Sequence, residues 1–336
     1  MTPKPVDRRM NRVEHAGFVR YHRRLMVRIC CGALVVLLLP LTLSAQAPLF
    51  SSGIDLVHVG VTVVDRDGRL ITDLEADDFD LLEDGHRQEV RYFSRSLASD
   101  ADTIPLHLGV LFDASSSMER DGRFVKTAVI KFLNTITYAA DMTLVDFDSE
   151  VRVGRYGQRD FPRLVERIRN REATGYTALY DALGVYLDGA FAQDGRKVLL
   201  LYTDGEDTRS LMPFDETHDL VRASDVTIYA IGLQKNLRAS VRRFQRMRLD
   251  QLTSVTGGRS YYPESVDALN AIYDEIASEL AARYSLGFVS TNDRSDGTWR
   301  EVEVRLTGSR PDLRRAKVRT RDGYYALYRE AEARDR

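Results

Sequence analysis

The sequence predicts an α/β protein: a doubly wound, mostly parallel sheet, with a small β-sandwich formed from its N- and C-terminal flanks. Three observations lead there. Leu106–Phe112, Lys197–Thr203 (KVLLLYT) and Val226–Gly232 (VTIYAIG) are continuous apolar runs, the pattern of strands buried on both faces. The segments between them keep helical period, so strand and helix alternate, which means a parallel sheet covered on both sides. At both ends of the chain the period falls to two, the mark of half-buried strands.

Taken in order, Val57, Val59, Val61 and Val63 alternate with His58, Gly60 and Thr62, and predict a strand. Asp67-Gly68 and Asp84-Gly85 are turn signals on either side of a strand carrying Phe79, Leu81 and Leu82. Asp65-Arg66-Asp67-Gly68 has a faint look of a calcium loop but lacks its third ligand and closing Glu, so it reads as a plain turn. Ser94–Asp102 is polar and reads as a linker. Beyond the strand at Leu106, a helix is expected over Phe124–Ala139, with Phe124, Ala128, Phe132 and Ile136 on one face. Met142–Phe147 and Val151–Val153 are short strands around an Asp148-Ser149-Glu150 hairpin. Helices follow at Phe161–Ile168, Ala178–Phe191, Phe214–Ala223, Val241–Val255 and Val266–Arg283, with the short Arg259–Tyr262 between the last two. Tyr284–Val289, Arg300–Thr307, Ala316–Arg319 and Gly323–Tyr328 return to β.

This gives five segments: 1–47, an export segment; 48–104, β-rich; 105–283, the α/β domain; 284–328, β-rich and expected to pair with 54–95; and 329–336, a charged tail. Neither β segment is large enough to bury a core alone, which is why they are expected to share one.

The export reading rests on residues 1–47. Eight basic residues stand there against Asp7 and Glu14, a balance of +6, so the rest carries −8 of the chain's net −2. Ile29–Leu43 is apolar and Ser44-Ala45-Gln46-Ala47 resembles a cleavage site. The apolar run is shorter than the roughly 20 residues of a membrane span. Cleavage after Ala47 and retention as an N-terminal membrane tether are the two readings, with Met10 and Met26 as alternative starts. Either way the body is expected outside the cytoplasm: periplasmic, secreted or attached to the cell envelope. Cys30 and Cys31 both lie in this segment, so a cleaved chain has no disulfide, thiolate metal site or Cys nucleophile. The acidic body argues against nucleic acid as a partner.

Chemistry is expected in three loops: Asp113-Ala114-Ser115-Ser116-Ser117, Ala173-Thr174-Gly175-Tyr176-Thr177 and Thr203-Asp204-Gly205-Glu206-Asp207. Asp113 and Asp204 each follow a buried strand directly, and loops at the carboxyl ends of neighbouring strands converge on a crevice. Two carboxylates brought together there repel and call for a cation or an arginine. Hard oxygen donors suit Mg2+ or Mn2+ better than Zn2+. Glu206 and Asp207 read as a solvated rim, and Thr208 and Ser210 as loop hydrogen bonders. Tyr176 and Met118 are either rim contacts or packing residues.

Asp113-x-Ser115-x-Ser117, then Thr177, then Asp204-Gly205 resembles the metal-ion-dependent adhesion site of von Willebrand factor type A domains, in order, spacing and placement on strand ends over about 105–283. The resemblance implies that family's Rossmann-like fold and a Mg2+ or Mn2+ ion bound by Ser115 and Ser117. Asp113, Thr177 and Asp204 would then act directly or through water. It also implies an open position for a carboxylate of a partner protein. Asp77-Asp78-Phe79, Glu83-Asp84-Gly85 and Gly323-Tyr324-Tyr325 are similar to a group of secreted bacterial proteins built around this domain.

No enzyme is expected. The chain has no G-x-S-x-G elbow and no phosphate loop. Of six histidines, His15 and His22 lie in the export segment, His58 and His86 in the β region, His107 at the wrong end of its strand and His218 on a surface helix. Lys126 and Lys197 are poorly placed to serve an Asp113 phosphatase nucleophile. The expected function is thus an exported, Mg2+- or Mn2+-dependent protein-binding module. The alternative is a structural scaffold of an envelope complex, in which the metal only rigidifies the loops.

Overall fold

The structure is a computed structural model and describes residues 56–95, 104–120, 122–235, 237–308 and 310–326. The export segment expected over 1–47 and the tail over 329–336 lie outside the described residues. No described helix is long and apolar enough to cross a membrane.

The central sheet has six strands. In chain order these are β5 (Leu106–Asp113), β6 (Asp141–Phe147), β7 (Val151–Gly157), β8 (Arg196–Thr203), β9 (Val226–Gly232) and β10 (Arg259–Tyr261). Their spatial order is β10-β9-β8-β5-β6-β7, parallel except for the edge strand β7. Every residue of β5 and β9 is buried, as their unbroken apolar runs require. Leu108, Val110 and Phe112 face a core shared with α1 (Gly122–Thr135), α2 (Phe161–Asn170) and α6 (Val266–Ala282). Leu111 faces the opposite core, shared with α3 (Leu179–Phe191), α4 (Phe214–Ala223) and α5 (Ala239–Ser254). The sheet is therefore doubly wound.

The flanks form two four-stranded sheets. One runs β13 (Lys317–Arg319), β1 (Leu56–Val64), β11 (Tyr284–Val289), β4 (Val90–Arg95); the other runs β14 (Gly323–Tyr325), β12 (Trp299–Leu306), β2 (Phe79–Glu83), β3 (His86–Gln88). Each sheet mixes strands from before and after the α/β region: β1 pairs antiparallel with β11, and β2 with β12. Val59, Val61 and Val63 share one core with Phe79, Leu81, Val302 and Val304. The inward valines are those set by the period-two pattern. Polar ties bind this layer to the α/β region. Buried Glu279 of α6 accepts from Thr62, Tyr229 and Arg319 at 3.1, 2.6 and 2.6 Å, and Arg222 of α4 pairs with Asp322 at 3.1 Å and lies 4.0 Å over Trp299.

Several boundaries differ from expectation. Helix α1 ends at Thr135 rather than Ala139. Thr135 turns its hydroxyl back onto the Phe132 carbonyl at 2.7 Å, and Ala140 N–H is taken by Leu106 in the sheet. The expected linker begins inside β4, where Ser94 and Arg95 pair with Ser285 and Tyr284; its remaining residues lie outside the described ones. Strand β7 continues to Gly157 because its pairing with β6 continues to Asp141. Helix α5 starts two residues earlier, at Ala239.

Candidate metal centre

Strand register brings the first and third loops together. Phe112 of β5 lies opposite Tyr202 of β8, so Asp113 emerges beside Thr203. The Thr203 hydroxyl donates to Asp113 Oδ2 at 2.7 Å and accepts from Gly205 N–H at 3.0 Å. Asp113 Oδ1 accepts from Ser115 N–H at 3.0 Å, which curls the loop so that Ser115 and Ser117 Oγ stand 3.1 Å apart. Thr203 is the residue whose role the sequence reading missed. Its place after an apolar strand and one residue before Asp204 was visible, but a hydroxyl aimed across the sheet depends on register.

The second loop is held by the β6–β7 hairpin. Ser116 N–H donates to Gly175 O at 3.2 Å and Thr174 N–H to Ala114 O at 2.7 Å, tying it to the first loop. Ala178 N–H donates to Asp148 O at 2.9 Å, the Thr174 hydroxyl to Asp148 Oδ2 at 3.0 Å, and Tyr176 N–H to Ser149 Oγ at 2.9 Å. Gly175 has φ +72°, and a side chain there would collide with Ser149 Oγ, so glycine is required by both conformation and space. Arg171 bridges Asp146, at 3.1 Å, and Asp148; Arg152 adds a contact of 2.9 Å to Asp148. With Arg167, whose Nε donates to Asp146 Oδ1 at 2.8 Å, this makes a network of two carboxylates and three guanidiniums that the sequence does not foretell. Its signal in the sequence was only the hairpin Asp148-Ser149-Glu150, read as a turn.

The five predicted residues thus sit at the carboxyl end of the sheet. Asp113, Ser115, Thr177 and Asp204 are buried and Ser117 is exposed. Asp207 is not a rim group, and Ser210 is a loop hydrogen bonder as expected. Both accept from Tyr180 N–H at 3.0 Å and so cap α3, the helix that follows Thr177. Thr208 behaves as expected, accepting from Thr177 N–H at 3.0 Å. Tyr176 is 67% exposed at the rim, whereas Met118 packs in the core. His107 binds Asp141 and the Asp194 carbonyl at the far end of β5. His218 is half-buried beside Phe214.

Asp113 is 1% exposed, and its carboxyl is pushed up to about 7 by burial and then by the charge of Asp204. Burial, then Asp204, also raises Glu206. The donors on the Asp113 oxygens, an amide and a hydroxyl, are neutral. Among the described residues no group of three His, Cys, Asp or Glu gathers to hold a metal, so a cation here depends on the hydroxyls of Ser115, Ser117 and Thr177 as well as the two carboxylates. That donor set, all hard oxygen with two negative charges, fits a small divalent cation.

Residues 107–275 match the von Willebrand factor type A domain. No curated protein matches the chain. Solved structures similar to it include a von Willebrand factor type A protein from Catenulispora acidiphila, at 13% identity and a TM-score of 0.45, covering 76% of each chain. The pilus adhesin SpaC from Lactobacillus rhamnosus GG, in its open conformation, is 11% identical with a TM-score of 0.46, covering 74% of this chain and 47% of that one. Proximal thread matrix protein 1 of the mussel byssus, with a zinc-occupied MIDAS motif, is 17% identical with a TM-score of 0.43, covering 56% and 50%. On the sequence match, which spans half its length, the chain belongs to the von Willebrand factor type A domain family.

Proposed function

We propose that this protein is an exported binding module that takes hold of a partner protein through a divalent cation. Asp113, Ser115, Ser117, Thr177 and Asp204 hold Mg2+ or Mn2+. When bound, the cation supplies a Lewis-acidic position to which a carboxylate of the partner adds. The chain's own residues do the rest. Thr203 and the Ser115 amide orient Asp113. The β6–β7 hairpin holds the loop that carries Thr177. Exposed Tyr176 and Ser117 offer contacts to the partner at the rim.

The observation that carries this reading is the burial of Asp113 and Asp204 side by side, with neutral donors on Asp113. Two such carboxylates are costly without a cation. The reading includes no catalysis, and His107 stands at the opposite end of β5 from Asp113. It also takes the body to be periplasmic, secreted or envelope-associated, on the strength of the export segment.

The test is a thermal melt of the purified protein with Mg2+, Mn2+, Ca2+ or chelator. A cation that binds only the native state raises its stability. Mg2+ or Mn2+ should raise the melting temperature, and Asp113→Ala should abolish the shift. Absence of any cation-dependent shift in the wild type would sink the proposal.

A further inference from the structure

A cavity of about 520 Å³ lies at the other end of the sheet, where β8 and β9 begin, and is walled by β1, β4 and β11 of the flanking sheet. It is distinct from the crevice at Asp113. Arg196, Arg283 and Arg321 all line it, as does Lys197, which is paired with Asp225 at 2.5 Å. Asp194 and Asp225 are the acidic residues of the wall, so cations are in excess.

Arg283 is the centre of this cluster. It is 8% exposed. It donates to Thr227 Oγ1 at 2.6 Å and to Gly60 O at 3.2 Å, both neutral oxygens, and its Nε is buried without a partner. A side chain at position 60 would strike that guanidinium, so Gly60 keeps open the space in which Arg283 lies. Arg321 Nε is likewise buried without a partner. Burial holds Arg196 and Arg321 below the usual arginine range, and for both the charge of Arg283 adds to the effect. Burying like charges together is costly unless an opposite charge joins them. Guanidinium forks match the oxygens of carboxylate and phosphate. The rest of the wall is largely apolar, with Leu56, Tyr92, Leu106, Val198 and Tyr284. The volume falls within the range of small-molecule sites, roughly 300–1,000 Å³.

We infer that this cavity binds an amphiphilic anion: a carboxylate or phosphate head held by Arg283 and Arg321, on an apolar body lying along the aliphatic and tyrosine wall. The inference is independent of the metal site. Its test is calorimetric titration of the purified protein with decanoate, with octyl phosphate, with inorganic phosphate and with neutral decanol. Decanoate, octyl phosphate or both should bind, and more tightly than inorganic phosphate or decanol. Arg283→Gln should weaken that binding at least tenfold, and Arg321→Gln should do the same if the first variant does not fold. Chelator should leave the affinity unchanged. Preference between decanoate and octyl phosphate decides which head the site takes. Binding of inorganic phosphate alone would overturn the amphiphile. No binding by any anion, or equal binding by the folded arginine variants, would overturn the site.

Discussion

The buried Asp113 carboxyl makes the metal-free protein sensitive to pH in a direction opposite to ordinary acid denaturation. Its ordinary value is 3.8 and its folded value is about 7. Below about 4 both folded and unfolded chains hold the proton, and the group is neutral in its effect. Between about 4 and about 7 the unfolded chain gives up the proton while the folded one keeps it, so stability falls as pH rises. Above about 7 the loss is complete. A shift of about 3 units, at 1.36 kcal/mol each, amounts to roughly 4 kcal/mol. Asp113→Asn removes the charge while keeping the shape. The amide oxygen still accepts from Ser115 N–H, but the Thr203 hydroxyl loses its carboxylate acceptor, a cost of about 1 kcal/mol. The variant should therefore be more stable than the wild type by about 3 kcal/mol in chelator at pH 8. At 2–4 °C per kcal/mol that is roughly 6–12 °C in melting temperature. Melts of both proteins in chelator at pH 5 and pH 8 isolate Asp113 together with its coupling to Asp204, because titrating groups not coupled to it cancel in the difference. The gain should shrink at pH 5. With saturating Mg2+ the order should reverse, since only the wild type can respond. A variant less stable than the wild type in chelator at pH 8 would refute the reasoning.

Four further outcomes are expected. Arg171→Ala removes a guanidinium shared by Asp146 and Asp148 but leaves Arg167 on Asp146 and Arg152 on Asp148, so it should cost little global stability while raising hydrogen exchange over 173–177 and weakening Mg2+ binding. The Asp148 carboxyl gives the acid side of the same test. Burial alone would raise it, but the Glu150 amide, the Thr174 hydroxyl, Arg152 and Arg171 hold it below the ordinary range, so the stability it contributes should be lost as pH falls through that lowered value. Glu279→Ala strands Arg319 and should destabilise by about 3–5 kcal/mol in urea unfolding, with no change in the response to Mg2+ beyond that of stability. Tyr176→Ala, at an exposed position, should change stability by less than about 0.5 kcal/mol while lowering affinity for a partner captured through the metal; unchanged affinity would remove Tyr176 from the contact.

The alternation of buried strands and amphipathic helices, and with it the doubly wound sheet, was legible in the residue pattern alone. Apolar runs such as Leu106–Phe112 leave no polar face to turn to water, so both faces must be covered. The placement of Asp113 and Asp204 at strand ends was legible there too, because each closes an apolar run. The valine alternation of β1 set which side of its sheet is inward. Contacts between residues far apart in the chain emerged only once the strands and loops were packed together. Thr203 meets Asp113 because β5 and β8 pair in one particular register. Asp148 braces the Thr177 loop, and Asp207 and Ser210 cap α3, through hydrogen bonds that span about thirty residues or fewer but turn on loop geometry. The arginine cavity needed strands from both flanks and the start of the central sheet to be brought side by side. Local periodicity reports which face of an element is buried. It carries no information about which polar atom on one element will find its partner on another.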